Sequence, residues 1–316
     1  MNRTRLRRLA GPAAIAFPLS FALAACGGSG AAADEGLDGP VRIDGSSTVF
    51  PLSNAAAEFY AEVAPGVSVT VGQSGTGGGF EAFCAGRIDI SDASRPIGEE
   101  ERALCEQNGV AFTELTVAQD ALTVVVPADF AVDCLTTDQL AAIWTPQSTV
   151  DNWIDLDPSF PDQELRLFGP GTDSGTFDYF TEAINGAQGA SRSDYQASED
   201  DNVIVEGVAN TPGAMGYFGY TYYEENADQL KAVQIDSGSG CVAPSVRTAQ
   251  DGSYTPLARP LFIYVANESY TGKEQVEGFV DHYIDNLTEI ATEARYIPLD
   301  EERAAKTRKT LESIGG

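Results

Sequence analysis

The sequence predicts an α/β fold with largely parallel sheets, divided into two domains. Strand-like and helix-like patterns alternate along the chain, which is typical of sheets covered by helices. About 275 residues follow an N-terminal leader and tether, enough for two hydrophobic cores. Two apolar runs, at 121–126 and 261–265, would carry the chain from one domain to the other and back. We therefore predict domain I at 40–118 plus 258–316, with 119–257 inserted as domain II.

The first 39 residues are typical of an export signal followed by a tether. Four arginines precede a short apolar run at 9–25, which ends in Leu-Ala-Ala before Cys26. This is the pattern of a secretory signal, and its end resembles a bacterial lipobox, in which the cysteine is lipidated. Glycine and prolines interrupt the run, so a transmembrane helix is the weaker interpretation. We expect a signal peptide at 1–25, then lipidated Cys26 within a flexible tether at 26–39, on the extracytoplasmic face of the cell membrane.

Acidic residues dominate the composition. The chain has 47 Asp and Glu against 19 Lys and Arg, so its formal net charge is −28, and about −32 without the four leader arginines. This charge excludes nucleic acid as a partner, because a protein that binds a phosphate backbone needs a basic face. It does not exclude a small anion. Surface charges are screened over ~8 Å at physiological ionic strength, whereas donors in a dehydrated pocket act at short range.

Four cysteines remain after the leader, an even number that indicates disulfides in an exported chain. Three pairings can be drawn among them. We predict Cys84–Cys105 and Cys134–Cys241, because each pair then stays within one predicted domain. We predict neither a metal site nor a cofactor, since no Cys-x-x-Cys spacing occurs and His282 is the only histidine.

Three strand-like runs end in loops rich in Ser, Thr and Gly, and each loop opens a helix-like stretch. The loops lie at 45–48, 72–79 and 169–176. Each junction offers unpaired backbone N–H groups, hydroxyl donors and the positive end of a helix dipole. Three such junctions in one chain predict a site that holds a small oxyanion from several sides.

Four motifs stand in order along the chain, three of them overlapping these loops and one lying between the second and third loops. They are followed by Gly-Ala-Met-Gly-Tyr at 213–217 and Arg-Pro-Leu at 259–261. In order, they are Asp-Gly-Ser-Ser-Thr-Val-Phe-Pro at 44–51, Ser-Gly-Thr-Gly-Gly-Gly at 74–79, Ile-Asp-Ile-Ser-Asp-Ala-Ser-Arg-Pro-Ile at 88–97 and Gly-Thr-Asp-Ser-Gly-Thr at 171–176. Together they resemble the substrate-binding lipoproteins of bacterial phosphate ABC transporters, the PstS family, over nearly the whole mature chain. The resemblance implies a two-lobed periplasmic-binding-protein fold (type II-like), with a ligand cleft between two domains joined by crossover strands. It also implies inorganic phosphate and membrane permease subunits as partners; we expect a monomer.

Matching the motifs to the oxygens of a phosphate gives a set of expected ligand residues. These are Ser47, Thr48, Val49, Ser74, Ser94, Arg95, Asp173, Ser174, Gly175 and Thr176. Taken alone, each hydroxyl would more often be a helix N-cap than a ligand contact. Arg95 alone would more often form a surface salt bridge. Only their joint occurrence, in the order of the family, favours the ligand interpretation.

Two positions depart from the better-known form of the family. That form has an aspartate where this chain has Ser94, and an arginine where this chain has Pro170. We expect Arg95 to supply the positive charge, and either Asp173 or Asp92 to supply the acceptor. Such a carboxylate accepts the proton of monohydrogen phosphate and repels sulfate, which has no proton to donate.

Two alternatives stay open on the residues alone. The same loops would suit another tetrahedral oxyanion, such as sulfate or a phosphonate. A serine hydrolase is the weaker alternative, because the only base for Ser174 would be His282 on a predicted exposed helix, and Thr76 breaks the nucleophile-elbow pattern of the second loop. The sequence therefore predicts a binding protein, not an enzyme, that captures inorganic phosphate for an ABC transporter.

Overall fold

The computed structural model describes residues 36–172 and 174–314, which contain twelve strands and twelve α-helices. In chain order they are β1 (Gly39–Gly45), α1 (Phe50–Val63), β2 (Val67–Val71), α2 (Gly75–Cys84), β3 (Ile90–Ala93), α3 (Glu99–Gln107), β4 (Phe112–Pro127), β5 (Cys134–Thr136), α4 (Thr137–Trp144), β6 (Arg166–Pro170), α5 (Gly175–Asn185), β7 (Gln196–Ser198), α6 (Asp201–Asn210), β8 (Ala214–Gly219), α7 (Tyr220–Glu225), β9 (Leu230–Ala232), β10 (Gln234–Asp236), β11 (Cys241–Val242), α8 (Val246–Gln250), β12 (Ala258–Ala266), α9 (Asn267–Gly272), α10 (Glu274–Asp285), α11 (Leu287–Glu293) and α12 (Glu301–Leu311). The largest sheet of this part has the order β2-β1-β3-β12-β4-β8-β6-β7, with β9 also paired to β4.

Strand β4 joins the two halves of this sheet. Its first part, up to Ala121, pairs antiparallel with β12, and its second part, from Leu122, pairs antiparallel with β8 and β9. On one side of this crossover β1 runs parallel to β2 and β3, and on the other β6 runs parallel to β7 and β8. The β4–β12 register shifts between Leu261 and Phe262, which marks a bulge in the ribbon. The predicted two-lobed α/β fold is confirmed, while the proposed domain boundaries remain a prediction.

Each lobe has a large hydrophobic core of its own. In lobe I, the sheet packs against α1 and α10 through residues such as Leu52, Ile263 and Phe279, all fully buried. In lobe II, Trp144 packs edge-on against Phe180 and against the neighbouring core rings. Burying one such large apolar side chain contributes about 1.5–3 kcal/mol. These cores hold the strand ends, and therefore the loops that follow them, in fixed positions.

Both predicted disulfides are present. Cys84–Cys105 joins α2 to α3 with a Cα–Cα distance of 4.2 Å. Cys134–Cys241 joins β5 to β11 with a Cα–Cα distance of 6.0 Å. Each bond therefore links two elements of one lobe, as the sequence argument required.

The predicted leader and the lipidated Cys26 lie outside the described residues, as does Asp173. Among the residues that are described, no helix is both long enough and apolar enough to cross a membrane.

Candidate oxyanion-binding site

The starts of α1 and α2 lie side by side at one edge of the lobe I sheet. Because β1 and β2 are parallel neighbours, the loops that follow them leave at the same carboxyl edge. No side chain caps either helix start, so side chains leave the first-turn N–H groups of α2 unoccupied. The Asp44 carboxylate organises the two loops, with Oδ1 accepting from the N–H of Gly45 at 2.8 Å and of Ser74 at 3.0 Å.

Close backbone packing makes glycine necessary in these loops. Gly45 has φ of +143°, and a Cβ there would lie 2.2 Å from the carbonyl oxygen of Asp92. A Cβ on Gly79 would lie 2.6 Å from the Cα of Gly45. Larger residues would force α2 away from β1 and would spread the donors of the site apart.

A cavity of 360 Å³ opens at this edge, between the first lobe and α5 of the second. We call it the arginine cavity, because Arg95 and Arg259 both line it. Its lining also includes six hydroxyl residues, three glycines from the start of α2, two acids, a tyrosine and a glutamine: Ser46, Ser47, Thr48, Ser74, Thr76, Ser94, Gly75, Gly77, Gly78, Asp178, Glu182, Tyr179 and Gln188. Hydroxyls, helix-start N–H groups and guanidinium groups are the donors that suit an oxyanion.

The structure divides the predicted ligand set between two cavities. Ser47, Thr48, Ser74, Ser94 and Arg95 line the arginine cavity. Three further predicted ligand residues, Ser174, Gly175 and Thr176, line a second cavity of 600 Å³. Ser47 lines this second cavity as well as the first. We call this one the acidic cavity, since its lining includes Glu58, Asp120, Glu199, Asp201 and Glu293. Its carboxylates make the acidic cavity the poorer place for an anion.

A direct contact between the lobes separates the two cavities. Thr48 Oγ1 donates to the carbonyl oxygen of Gly175 at 3.1 Å. A Cβ on Gly175 would lie 2.5 Å from the backbone nitrogen of Thr48, so only glycine allows this approach. Tyr296 adds a hydrogen bond from its hydroxyl to the Thr48 carbonyl at 2.8 Å. Thr48 is therefore the point of lobe I at which the lobes touch beside the site.

Two predicted ligand residues have local structural roles in this conformation. The N–H of Val49 donates to the Ser46 carbonyl at 3.1 Å, and the Val49 side chain is fully buried. Ser174 is the N-cap of α5, its Oγ accepting from the N–H of Thr176 at 3.2 Å. Both groups would have to exchange these partners to reach an anion.

Arg95 forms a salt bridge with Glu101, which is the role expected of an isolated arginine at this position. Its guanidinium donates two hydrogen bonds to the Glu101 carboxylate, both at 2.8 Å, and 40% of the side chain is exposed. Burial alone would raise the pKa of Glu101, but the hydrogen bonds from Arg95 outweigh it and lower that pKa. Arg95 lines the arginine cavity with its charge already neutralised.

Arg259 is a cavity residue that the sequence reasoning did not assign a role. Its Nη2 donates to Thr48 Oγ1 at 3.0 Å, and its guanidinium carbon lies 3.5 Å from the centre of the Tyr179 ring. Thr48 belongs to lobe I and Tyr179 to lobe II, so Arg259 contacts both. One feature of the sequence could have indicated a role for Arg259. It is an arginine at the start of an apolar strand, where burying a charge is unfavourable unless the charge has a partner.

Three acids lie in or near the arginine cavity and are relevant to the identity of the proton acceptor. Asp178 lines the arginine cavity, where its Oδ2 accepts from Ser47 Oγ at 3.4 Å, and burial raises its pKa. Glu182 lines the same cavity from the next turn of α5. Asp92, one of the two expected acceptors, is fully buried below the loops and lines neither cavity. Its Oδ1 accepts from Ser53 Oγ at 2.8 Å, and burial raises its pKa to about 8.

His282, the base that the hydrolase alternative requires, does not lie at this site. His282 packs against Tyr60 at a ring distance of 5.3 Å and lines neither cavity, so it offers Ser174 no base. Within residues 36–172 and 174–314, no group of three or more His, Cys, Asp or Glu could hold a metal ion.

Comparison with known proteins identifies the family to which this chain belongs. Residues 30–286 match the family model of the PBP superfamily domain. The chain is 47% identical to protein SphX of Synechocystis sp., over 83% of this chain and 79% of that protein. It is 36% identical to the phosphate-binding protein PstS of Staphylococcus saprophyticus, over 94% of this chain and 92% of that one.

Solved structures agree with the sequence comparison. The crystal structure of a possible phosphate binding protein from Planctomyces limnophilus matches with a TM-score of 0.85 and 43% identity, covering 89% of this chain and 100% of that one. An ABC-type phosphate transport receptor from Vibrio cholerae shares the fold at a TM-score of 0.66 and 22% identity, covering 82% and 100%. The predicted periplasmic-binding-protein fold is confirmed.

Proposed function

Because this chain belongs to the PBP superfamily, in the family that contains SphX and PstS, we propose that it captures inorganic phosphate outside the cytoplasm. It then delivers the ion to the permease subunits of an ABC transporter. The observation that carries this proposal is the arginine cavity, where hydroxyls, the uncapped start of α2 and two guanidinium groups face one space between the lobes. It acts by binding and release, and no step of this function requires a chemical reaction.

The proposed ligand set is the one that the motifs indicate, with donors from both lobes. Lobe I contributes Thr48, Ser74 and their neighbours, and lobe II contributes Ser174, Gly175 and Thr176. In the present conformation the contact between Thr48 and Gly175 keeps the two groups of donors in separate cavities. Phosphate therefore replaces the Gly175 carbonyl as the partner of Thr48 Oγ1, and the lobes readjust around the ion.

We propose Asp178 as an acceptor for the proton of monohydrogen phosphate, in addition to Asp173. Asp178 is a carboxylate that lines the arginine cavity and is positioned by Ser47, whereas Asp92 lies outside the cavity. A carboxylate there would repel sulfate, which has no proton to donate. An Asp178→Asn variant should therefore bind sulfate more tightly than the wild type does.

Calorimetry on the protein stripped of bound ligand tests the function directly. Phosphate and sulfate are titrated in parallel, with Arg166→Gln as a control for loss of an exposed charge that does not line the cavity. We expect one-to-one binding of phosphate and no heat from sulfate. Equal affinity for sulfate would contradict the acceptor, and no heat from either anion would contradict the function.

We further propose that the protein is a monomer held on the outer face of the cell membrane by lipid on Cys26. The lipobox-like end of the leader supports this anchor, and the segment between Cys26 and β1 would be the tether. A Cys26→Ser variant should leave the membrane fraction while its phosphate affinity stays unchanged. Retention of that variant in the membrane fraction would contradict the lipid anchor.

A further inference from the structure

Arg259 is held at the crossover between the lobes, with its charge turned into the arginine cavity. On β12, its Cα is paired with that of Asp120 on β4. Only 12% of the Arg259 side chain is exposed, and only 4% of the Asp120 side chain. An arginine in this position cannot be a solvated surface charge, so its partners decide what it does.

Those partners leave most of the guanidinium unsatisfied. A guanidinium has five N–H donors, and the described contacts include one hydrogen bond, to Thr48 Oγ1. Nε is buried without an acceptor; the nearest carboxylate oxygen, Asp120 Oδ2, is 3.6 Å away and also makes no hydrogen bond. That distance is too long for a hydrogen bond. Because Nε faces Asp120, an oxyanion in the cavity would be bound by the remaining Nη N–H groups of Arg259.

Arg95, the other arginine of the cavity, differs in each of these respects. It is 40% exposed, and Glu101 binds it through two hydrogen bonds. An anion would have to compete with a carboxylate already in bidentate geometry. Arg259 has no such competitor, because Asp120 faces it only at ion-pair distance.

The acids of the cavity make this cation necessary. Glu182 lines the cavity and would repel a dianion, and the Asp178 carboxylate would do so as well wherever it does not accept the proton of the ion. Glu101 occupies Arg95 through two hydrogen bonds, whereas Asp120 faces Arg259 at 3.6 Å without one, so Arg259 is the guanidinium with donors left for an ion between these acids. Its stacking on Tyr179 fixes the plane of the guanidinium and therefore the direction of its donors.

We propose that Arg259, buried between Asp120, Thr48 and Tyr179, is the principal cation for the bound oxyanion. It holds the positive charge that the sequence reasoning expected of Arg95. This inference rests on the proposed function for the identity of the anion, but not for the role of the arginine. The anion bridges the lobes through Arg259, since the same side chain contacts Thr48 on one side and Tyr179 on the other.

The test compares Arg259→Gln, Arg259→Lys and Arg95→Gln with the exposed control Arg166→Gln, each stripped of ligand and titrated with phosphate. We expect Arg259→Gln to weaken binding about a hundredfold, as truncation of a buried charge pair does. Arg259→Lys keeps the positive charge but loses the planar pair of guanidinium donors, so its phosphate affinity should lie between those of Arg259→Gln and the wild type. We expect Arg95→Gln to lose less than tenfold and Arg166→Gln to match the wild type.

A second readout distinguishes ligand binding from a structural role. Thermal unfolding is followed for each variant with and without saturating phosphate. A purely structural Arg259 would lower the melting temperature without ligand and leave the phosphate-induced rise intact, which would overturn the inference. Loss of that rise supports it.

The calorimetric outcomes also separate this inference from the proposed function. If Arg259→Gln binds phosphate as tightly as the wild type, Arg259 is not the cation and the function stands. If the wild type binds sulfate and not phosphate, the phosphate function fails. A hundredfold loss of sulfate affinity in Arg259→Gln would then still support the role of Arg259.

Discussion

A buried carboxyl below the loops of the arginine cavity should make the stability of this protein depend on pH in an unusual direction. Asp92 is fully buried at the end of β3, and burial raises its pKa to about 8. The folded state therefore keeps a proton on Asp92 over a range where the unfolded chain, with a pKa near ~3.9, has lost it. The stability that this group contributes is present in full at low pH and is lost as the pH rises toward 8.

The size of the effect follows from proton linkage. Each pH unit in this window costs the folded state about 1.4 kcal/mol, so the free energy of unfolding falls by about 4 kcal/mol between about pH 5 and pH 8. Asp92→Asn should remove that slope, because an amide reproduces the shape of the protonated carboxyl and keeps the oxygen that accepts from Ser53. The free energy of unfolding of Asp92→Asn, relative to that of the wild type, should therefore increase as the pH rises.

Urea unfolding of the wild type and Asp92→Asn from pH 5 to pH 8 measures this difference. Asp228→Asn, an exposed change, serves as the control and should run parallel to the wild type. Parallel curves for Asp92→Asn and the wild type would refute the reasoning. The carbonyl of Asp92 also accepts from the N–H of Ser46 at 3.0 Å, so ionisation of Asp92 should weaken phosphate binding above about pH 8 in the wild type only.

Three other changes test contacts elsewhere in the molecule. Gly175→Ala places a methyl group against Thr48, so small-angle scattering should show a larger radius of gyration for the protein without phosphate. Arg192→Gln removes a buried guanidinium that donates to two backbone carbonyls of lobe II, and should lower the free energy of unfolding in urea by about 3 kcal/mol. Replacing Cys134 and Cys241 by serine opens a link that spans 107 residues, and should lower that free energy by about 4–5 kcal/mol.

Each of these changes has a matched control in the same chain. A Cβ at Gly272 meets no atom within 4 Å, so Gly272→Ala should leave the radius of gyration unchanged. Arg166 is exposed, and its replacement by glutamine should change stability by less than about 0.5 kcal/mol. The Cys84–Cys105 link spans only 21 residues, and its removal should cost about 3 kcal/mol. Equal losses from the two disulfides would contradict the loop-length argument.

The sequence predicted the fold and the disulfides because both depend on order along the chain. Alternating strand and helix patterns, and the two apolar runs that became parts of β4 and β12, define the two lobes. The cysteine pairing followed from keeping each bond within one lobe. None of these inferences required knowing how closely the lobes approach one another.

The details of the site were not predictable because they depend on that approach and on side-chain direction. Thr48 touches Gly175 across 127 positions of sequence, and this contact decides which donors share a cavity. Arg95 is turned toward Glu101 by the position of α3, which a motif does not reveal. Arg259 was matched only as part of Arg-Pro-Leu, since its role depends on the tertiary neighbours Asp120 and Tyr179.

The ribbon formed by β4 and β12 determines how force passes between the lobes. A flexible linker would let the lobes separate freely, but here they share backbone hydrogen bonds from Phe112 to Ala121. Lobe movement must therefore twist or bend a hydrogen-bonded pair of strands, and the bulge at Leu261–Phe262 is a point of lower stiffness in that pair. Such a hinge stores elastic energy, so it limits the amplitude of opening and returns the lobes toward one resting angle. Amide hydrogens of the ribbon should accordingly exchange slowly both with and without phosphate.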